Sequence, residues 1–542
     1  MSMLRRRLGP LALCLLRRRL GPLALCLLAA LLVPAAGWPA AGRAEDQPRP
    51  TSRVTLALNA DIRSSSPGVM RDFNSDVVLH HVVEGLVGHR EDLTIGPVLA
   101  DSIDTSADGT VYTFHLRDGV TFHNGEAMTS ADVAWSWTRY LDPATQWQCL
   151  DRFDGRNGPK VLAVETPDPH TAVFRLDRRS AMFLVNMASL QCNAAILNKA
   201  SVGPDGAWIK PVGTGPYVFA DWQKGRYIEL TRFDGYKPLP GPRDGMLGGR
   251  AALADTLRFT VIPDRSVMNA ALETGEVDII TDVGATEIDG LKAKGAQVTI
   301  TPTLSWAVLL LQTRDPVLSD VRVRQALARA IDGAQVAEAA SFGLAAPNPS
   351  AVAATSPWHT AAQAVWPAYD PEEAAKLLQE AGQSGATIRI QTNNRPTGQH
   401  EAALMVQGLL SAAGINAQVE TLDWATQLQN YRDGKFQASV FTFSGRLDPA
   451  LAYDSIIGSK EEDPTNQWDD PDAIAWLNEA KATDDRAARQ AIFDRLQARM
   501  AEQVPIIGLF NPAQVTAVGP KLRGYADWGA ATPRLWGVWK AE

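Results

Sequence analysis

Arg446 is the residue of this 542-residue chain whose placement most invites a chemical question. It stands between Gly445 and a Leu-Asp-Pro turn in FTFSGRLDPA (441–450), where an aromatic, β-prone segment gives way to a loop. A cation on such a rim either pairs with a neighbour, here Asp448, or meets something anionic. A guanidinium matches a carboxylate bidentately, so an anionic ligand is the second possibility. Other reactive residues fall into weaker patterns. His80-His81 followed by Glu84 gives H-x-x-E without the second histidine of a zinc site, which favours a structural role on a helix face. The acidic patches 461–463 and 469–472 lack the alternating spacing of a calcium loop, and Asp470-Pro471 fits a helix start. There is no G-x-S-x-G elbow, no H-E-x-x-H and no phosphate-cradling G-x-x-x-x-G-K, so no catalytic residue, metal or cofactor is assigned. Trp306, Trp424 and Trp468 are either core or, as large flat side chains, walls of a pocket for an organic ligand.

The ends and the composition bound the setting. Arg5–Leu16 (RRRLGPLALCLL) recurs unchanged as Arg17–Leu28, and two copies of a short unit make no solenoid. The second copy leads through an apolar run to Ala41-Gly42-Arg43-Ala44, the layout of a secretory signal cleaved after Ala44. Gly9-Pro10 and Gly21-Pro22 interrupt the apolar runs, which leaves neither the ~20 residues that a spanning helix needs. Residues 1–44 hold seven arginines and no acid, so the formal charge of −8 becomes −15 without them. An acidic secreted chain without basic clusters is no nucleic-acid binder. Roughly 500 residues exceed a single core and imply two or three domains. Cys149 and Cys192 remain after the leader. An oxidising compartment allows them to pair, with two free buried thiols as the alternative.

Strands and helices alternate as an α/β protein requires. RVTLALNA (53–60) reads as a strand, and TVYTFHLRDGVTF (110–122) as two strands joined at Asp118-Gly119. Thr129 to Asp132 forms a capping box for a helix through Val133, Trp137 and Tyr140. DVRVRQALARAID (320–332) places apolar residues at 323, 326, 327, 330 and 331 on one helix face. YDPEEAAKLLQEAG (369–382) has Asp370 as N-cap, Pro371 at the first position and Gly382 as the stop. A strand (386–391), a helix (401–413), a strand (415–421), a helix (424–433) and a final strand (436–443) deliver the chain to Arg446. In open α/β sheets, ligand groups gather where strands end, so the position suits binding.

The run 84–137, EGLVGHREDLTIG to SADVAWSW, resembles the signature region of extracellular solute-binding proteins of the peptide/nickel class, which feed ABC importers. GTGPYVF (213–219), ALETGEVDI (271–279), DVRVRQALARAID and YDPEEAAKLL match further segments of that family in order. The resemblance covers nearly the whole chain after the leader. It implies an α/β, bilobed periplasmic-binding-protein clamp with a small extra domain inserted in the first lobe. Lobe one would take 45–90, 213–306 and 509–542, the insert 91–212, and lobe two 307–508. Both cysteines then fall in the insert. The implied action is capture of a small molecule or short peptide by closure of the lobes, as a periplasmic monomer that hands its solute to membrane permease subunits. A nickel-complex or other non-peptide binder of the same family, and a secreted hydrolase, stand as alternatives. Peptide-binding relatives carry an aspartate for the α-ammonium where this chain has Arg446, whereas the tryptophan of their W-x-x-x-L helix is kept as Trp424. The resemblance therefore suggests a ligand carboxylate at Arg446. Phe443, Ser444, Gly445 and Asp448 flank it, Trp306 and Trp424 supply aromatic surface, and Ser65 and Ser66 in DIRSSSPG (61–68) offer polar contacts from the first lobe. Nickel is disfavoured, since the second lobe has only His359 and His400.

Overall fold

The computed structural model describes residues 52–394 and 398–541, and the expected leader 1–44 lies outside them. Two large sheets define two lobes. The first is seven-stranded, in the order Gln297–Pro302, Ala513–Val518, Ile279–Ile280, Arg53–Leu58, Thr256–Val261, Tyr227–Arg232 and Tyr217–Gln223. Arg53–Leu58 runs parallel to both of its neighbours, and five of its six residues are buried. Val54, Leu56 and Leu58 pack with Ile228, Leu257 and Phe259 in the core of this lobe. The second sheet is five-stranded, in the order Asn416–Leu422, Thr387–Asn393, Ala438–Phe443, Trp306–Leu311 and Ile506–Phe510. Helices cover it in the sequence the periodicity indicates. Val321–Ala330 starts at Asp320, whose carboxylate caps Arg322 N, and buries Val323, Ala326, Leu327 and Ala330. Pro371–Glu380 starts at Asp370, and Gly382 lies just beyond its end with φ of +69°. Left-handed backbone there costs glycine little, so the helix can stop and turn.

The chain crosses between the lobes twice, and both crossings are short. Pro302 ends one strand of the first sheet and Trp306 begins one of the second; Phe510 and Ala513 make the return. The two connections are tied together. Thr303 donates its amide and its hydroxyl to Pro512 O at 3.0 and 2.7 Å, and Asn511 Nδ2 donates to Ser305 O at 2.7 Å. Two short links that run in opposite directions and are bonded to each other leave few dihedrals to absorb a lobe movement, which is how a hinge is built.

A separate four-stranded antiparallel sheet orders Ala100–Thr105, Val111–Leu116, Thr171–Leu176 and Val161–Asp168. The hairpin expected at Asp118-Gly119 is absent. Both edges of Val111–Leu116 are taken by Ala100–Thr105 and Thr171–Leu176, so the following residues have no edge to pair with. Thr121 instead makes a single bridge to Ala127. The capping box does form, with Thr129 N donating to Asp132 Oδ2 at 2.9 Å, and Val133, Trp137 and Tyr140 are buried.

Cys149 and Cys192, 43 residues apart, are joined in a disulfide inside this unit's core. Closing a loop of that length stabilises by roughly 3–4 kcal/mol on the chain-entropy account. Cys149→Ser/Cys192→Ser should therefore lower unfolding free energy in urea by about that much, and thiol titration of the denatured native protein should find no free thiol. Finding two free thiols removes the basis of the prediction.

Candidate functional site in the cleft between the lobes

Between the sheets lies a cavity of about 690 Å³, within the range of clefts that enclose organic solutes. The first lobe lends it Arg71, Asp76 and His80 and the turn Asp282–Thr286. The second lends Phe342, Glu401, Thr442, Ser444 and Gly445, and the connections lend Thr303, Ser305 and Pro512. The connections between the two sheets therefore form part of the cavity wall.

Strand Ala438–Phe443 shows how the sequence builds the second-lobe wall. Side chains alternate along it. Thr442 turns to the cavity and accepts Gln399 Nε2 at 3.1 Å, whereas Phe441 and Phe443 turn to the other face. There Phe441 stacks on Tyr431 with ring centroids 4.7 Å apart and on Trp424 at 5.7 Å, and Phe443 stacks on Trp306 at 6.3 Å. This aromatic layer, expected to face the ligand, instead backs the strand that carries Thr442, Ser444 and Gly445. Trp306 is 4% exposed, and its indole donates to Asn348 O at 3.2 Å. It is core. Trp424 and Phe443 are half-buried and do not line the cavity. Gly445 is required by proximity: a Cβ there would lie 2.9 Å from Leu304 Cβ, hard against the hinge.

Arg446 follows, half-buried. Its Nη1 donates to Ser444 O at 3.2 Å and sits 3.5 Å from Gly445 O, and no ion pair to it forms among the described residues. Burial holds its proton affinity below that of an ordinary guanidinium, and repulsion from Arg152 and Arg71 adds to this, against attraction from Asp454 and Tyr431. Two guanidinium groups from other parts of the chain, Arg152 and Arg71, thus act on Arg446. Arg71 is neutralised by Asp76, and Asp454 is occupied by Lys481. Arg446 forms no ion pair among the described residues and follows the cavity-lining Ser444 and Gly445, whereas Arg152 is attracted by Asp151 and Asp454.

Asp448 answers differently from expectation. Its two carboxylate oxygens receive Arg489 at 2.8 and 3.0 Å, both side chains are 7% exposed, and its Oδ1 also caps Ala450 N at the start of Pro449–Asp454. It contacts neither Arg446 nor the cavity. Ser65 and Ser66 are corrected too. Ser65 Oγ accepts Trp208 Nε1 at 3.0 Å, Ser66 N donates to Ser64 Oγ at 3.0 Å, and both serines are buried away from the cleft. Ser65 ties its loop to Trp208, and Ser66 holds the turn of that loop.

Sequence reasoning missed Arg71, Asp76 and Glu401. A signal existed for Asp76: it directly precedes the apolar Val77-Val78-Leu79 in a helix, Phe73–Leu79, whose residues after Phe73 are all buried. A buried carboxylate must be paired or face a ligand. Burial pushes its carboxyl up to about 7 despite Arg71 beside it. His80, one turn on, donates from Nε2 to Leu190 O, and burial holds its ring neutral with a pKa of about 3. Among the described residues, no three His, Cys, Asp or Glu side chains converge as a metal site, and no helix is long and apolar enough to cross a membrane.

Comparison with known proteins places this architecture. The model of bacterial extracellular solute-binding proteins, family 5 (middle region), matches residues 94–463. The dipeptide-binding protein of Escherichia coli K12 is 27% identical over 488 residues, 84% of this chain and 88% of the relative. The glutathione-binding protein GsiB of Pectobacterium atrosepticum is 26% identical over 491 residues, 87% and 91% of the two chains. Among solved structures, DppA of Helicobacter pylori with the peptide STSA superposes with a TM-score of 0.73 at 25% identity, over 90% of this chain and 98% of the other. AgaA of A. tumefaciens R10 with agropinic acid does so at 0.71 and 25%, over 90% and 99%. The cleft and its paired crossings are those of a bilobed binding protein, and the chain belongs to the bacterial extracellular solute-binding proteins, family 5.

Proposed function

We propose that this protein is the periplasmic capture component of an ABC importer and that its solute is a short peptide, or a peptide-like compound, bearing a carboxylate. Capture is by binding alone: solute enters the open cleft, both lobes contribute contacts, and differential affinity for the closed form shifts the population toward it. Permease subunits then read the closed form. On this reading 45–90, 213–306 and 509–542 move as lobe one, 307–508 as lobe two, and 91–212 as the insert.

The observation that carries the solute class is Arg446, which has no ion partner among the described residues, feels repulsion from Arg152 and Arg71, and sits next to the cavity-lining Ser444 and Gly445. Like charges held together in a partly dehydrated place are costly unless an anion joins them. Relatives named for dipeptides, for glutathione and for a bound peptide support a peptide-like solute of this size.

The test is ligand-dependent melting. A matched peptide at about 100 times its Kd should stabilise the protein by about 2.7 kcal/mol, with the rise in Tm saturating as concentration grows. Amides of the same peptides should act more weakly. Product formation from peptides or esters by the purified protein would instead establish a hydrolase.

A further inference from the structure

The cavity holds a second feature that a carboxylate clamp leaves unexplained. Asp76 is 5% exposed and uses one oxygen, Oδ2, to receive Arg71. Its other oxygen, Oδ1, is buried with no hydrogen-bond partner, and so is Arg71 Nε. Both residues line the cavity. Buried polar atoms are nearly always satisfied, and those that are not call for an explanation. Here an unused anionic acceptor and an unused donor stand side by side on one ion pair. We infer that Asp76 and Arg71 receive the amino end of the solute, its primary ammonium against Asp76 Oδ1 and the adjoining carbonyl oxygen against Arg71 Nε.

An α-aminoacyl end carries that nitrogen and that oxygen three bonds apart, donor charge first and acceptor next, which is the complement of the pair. The solute would then lie with its amino end on the first lobe and its carboxylate toward Arg446 on the second, so each pole engages one half of the closing clamp. This inference rests on the peptide reading above. Burial already raises the Asp76 carboxyl to about 7, so an incoming ammonium is met by a group that must be ionised to hold it. Arg71 and Asp72 act on Asp76 directly, His80 lies one turn on, and Arg265, Asp282 and Glu401 are the other charged groups that line the same cavity. Below pH 7 the carboxyl is protonated, and affinity for a free amino end falls. From pH 7 to 5.5 the ionised fraction drops on the order of tenfold, while a peptide's ammonium and carboxylate keep their charges.

The experiment uses a pool of synthetic di- and tripeptides and the same pool N-acetylated, titrated into the full mature protein and into Asp76→Asn. The unmodified pool is expected to raise Tm, and the acetylated pool to need at least about tenfold more peptide for the same effect. Asp76→Asn should bring the two pools together and flatten the dependence between pH 7 and 5.5. Equal action of both pools on the native protein overturns the inference and leaves the peptide reading standing. No effect of either pool overturns both. If Asp76→Asn does not fold, the comparison of pools on the native protein decides alone.

Discussion

Replacing Arg446 by alanine is expected to weaken capture of the native solute by at least about tenfold while leaving the ligand-free Tm nearly unchanged. Two observations make both halves of that expectation. Among the described residues of the ligand-free protein, Arg446 bonds only to backbone carbonyls of its own loop, and Asp448, the neighbour that could have held it, is engaged by Arg489. Truncation therefore removes no native ion pair, and it relieves repulsion from Arg152 and Arg71. In the closed, loaded state a desolvated guanidinium–carboxylate contact is lost, which costs about 2–5 kcal/mol. A solvent-exposed pair costs under about 1 kcal/mol. Arg446→Lys should fall between the two, because an ammonium keeps the charge and loses the planar fork. Calorimetric titration beside a melting curve separates the cases. Unchanged affinity in Arg446→Ala, or a large fall in ligand-free Tm, sinks the clamp.

Two residues further along the chain, the same kind of substitution should have the opposite signature. Asp448→Ala is expected to destabilise the protein by about 3–5 kcal/mol, because it strands a buried guanidinium. Arg489 would keep Ala480 O at 3.1 Å and lie over the rings of Trp358 and Phe493 at 5.2 and 5.4 Å, but its charge would be uncompensated. The lost N-cap of Pro449–Asp454 adds about 1 kcal/mol. Arg489 also touches Met182 of the inserted unit at 3.6 Å. Its loosening should therefore weaken the contact where Ala181 N reaches Lys481 O at 3.0 Å. The double variant Asp448→Ala/Arg489→Met should recover much of the loss, since removing both charges removes the buried imbalance. Chemical denaturation measures all of this. A cost below about 1 kcal/mol for Asp448→Ala would show that the pair is solvated.

The contrast between Arg446 and Asp448 also marks what could be read from the residues in order. Local signals carried the elements well. The capping box at Thr129, the Asp370-Pro371 start and the apolar face of 320–332 each act within one or two turns of chain, and each forms. The helices and strands from 387 to 443 follow for the same reason. What failed was decided by distant partners. Arg489 lies 41 residues beyond Asp448, Trp208 lies 143 beyond Ser65, and Asn348 lies 42 beyond Trp306. Nothing local distinguishes a carboxylate waiting for a ligand from one committed to a remote arginine. The missing hairpin is the same lesson at the level of strands, since Thr171–Leu176 took the edge that Asp118-Gly119 would have turned back to. The alternation of Phe441, Thr442 and Phe443 was legible as a period of two, but which face met the cleft depended on where Gln399 and Tyr431 packed.

The central claim is that the cleft holds a carboxylated, peptide-like solute between a first-lobe acid and a second-lobe guanidinium. Mass spectrometry of whatever is released on denaturing protein purified without prior unfolding tests it most directly. The account predicts one or a few small compounds carrying both a free carboxylate and an amine, absent from Arg446→Ala purified in parallel. A metal chelate, or a solute without a carboxylate that is retained equally by the variant, would contradict it.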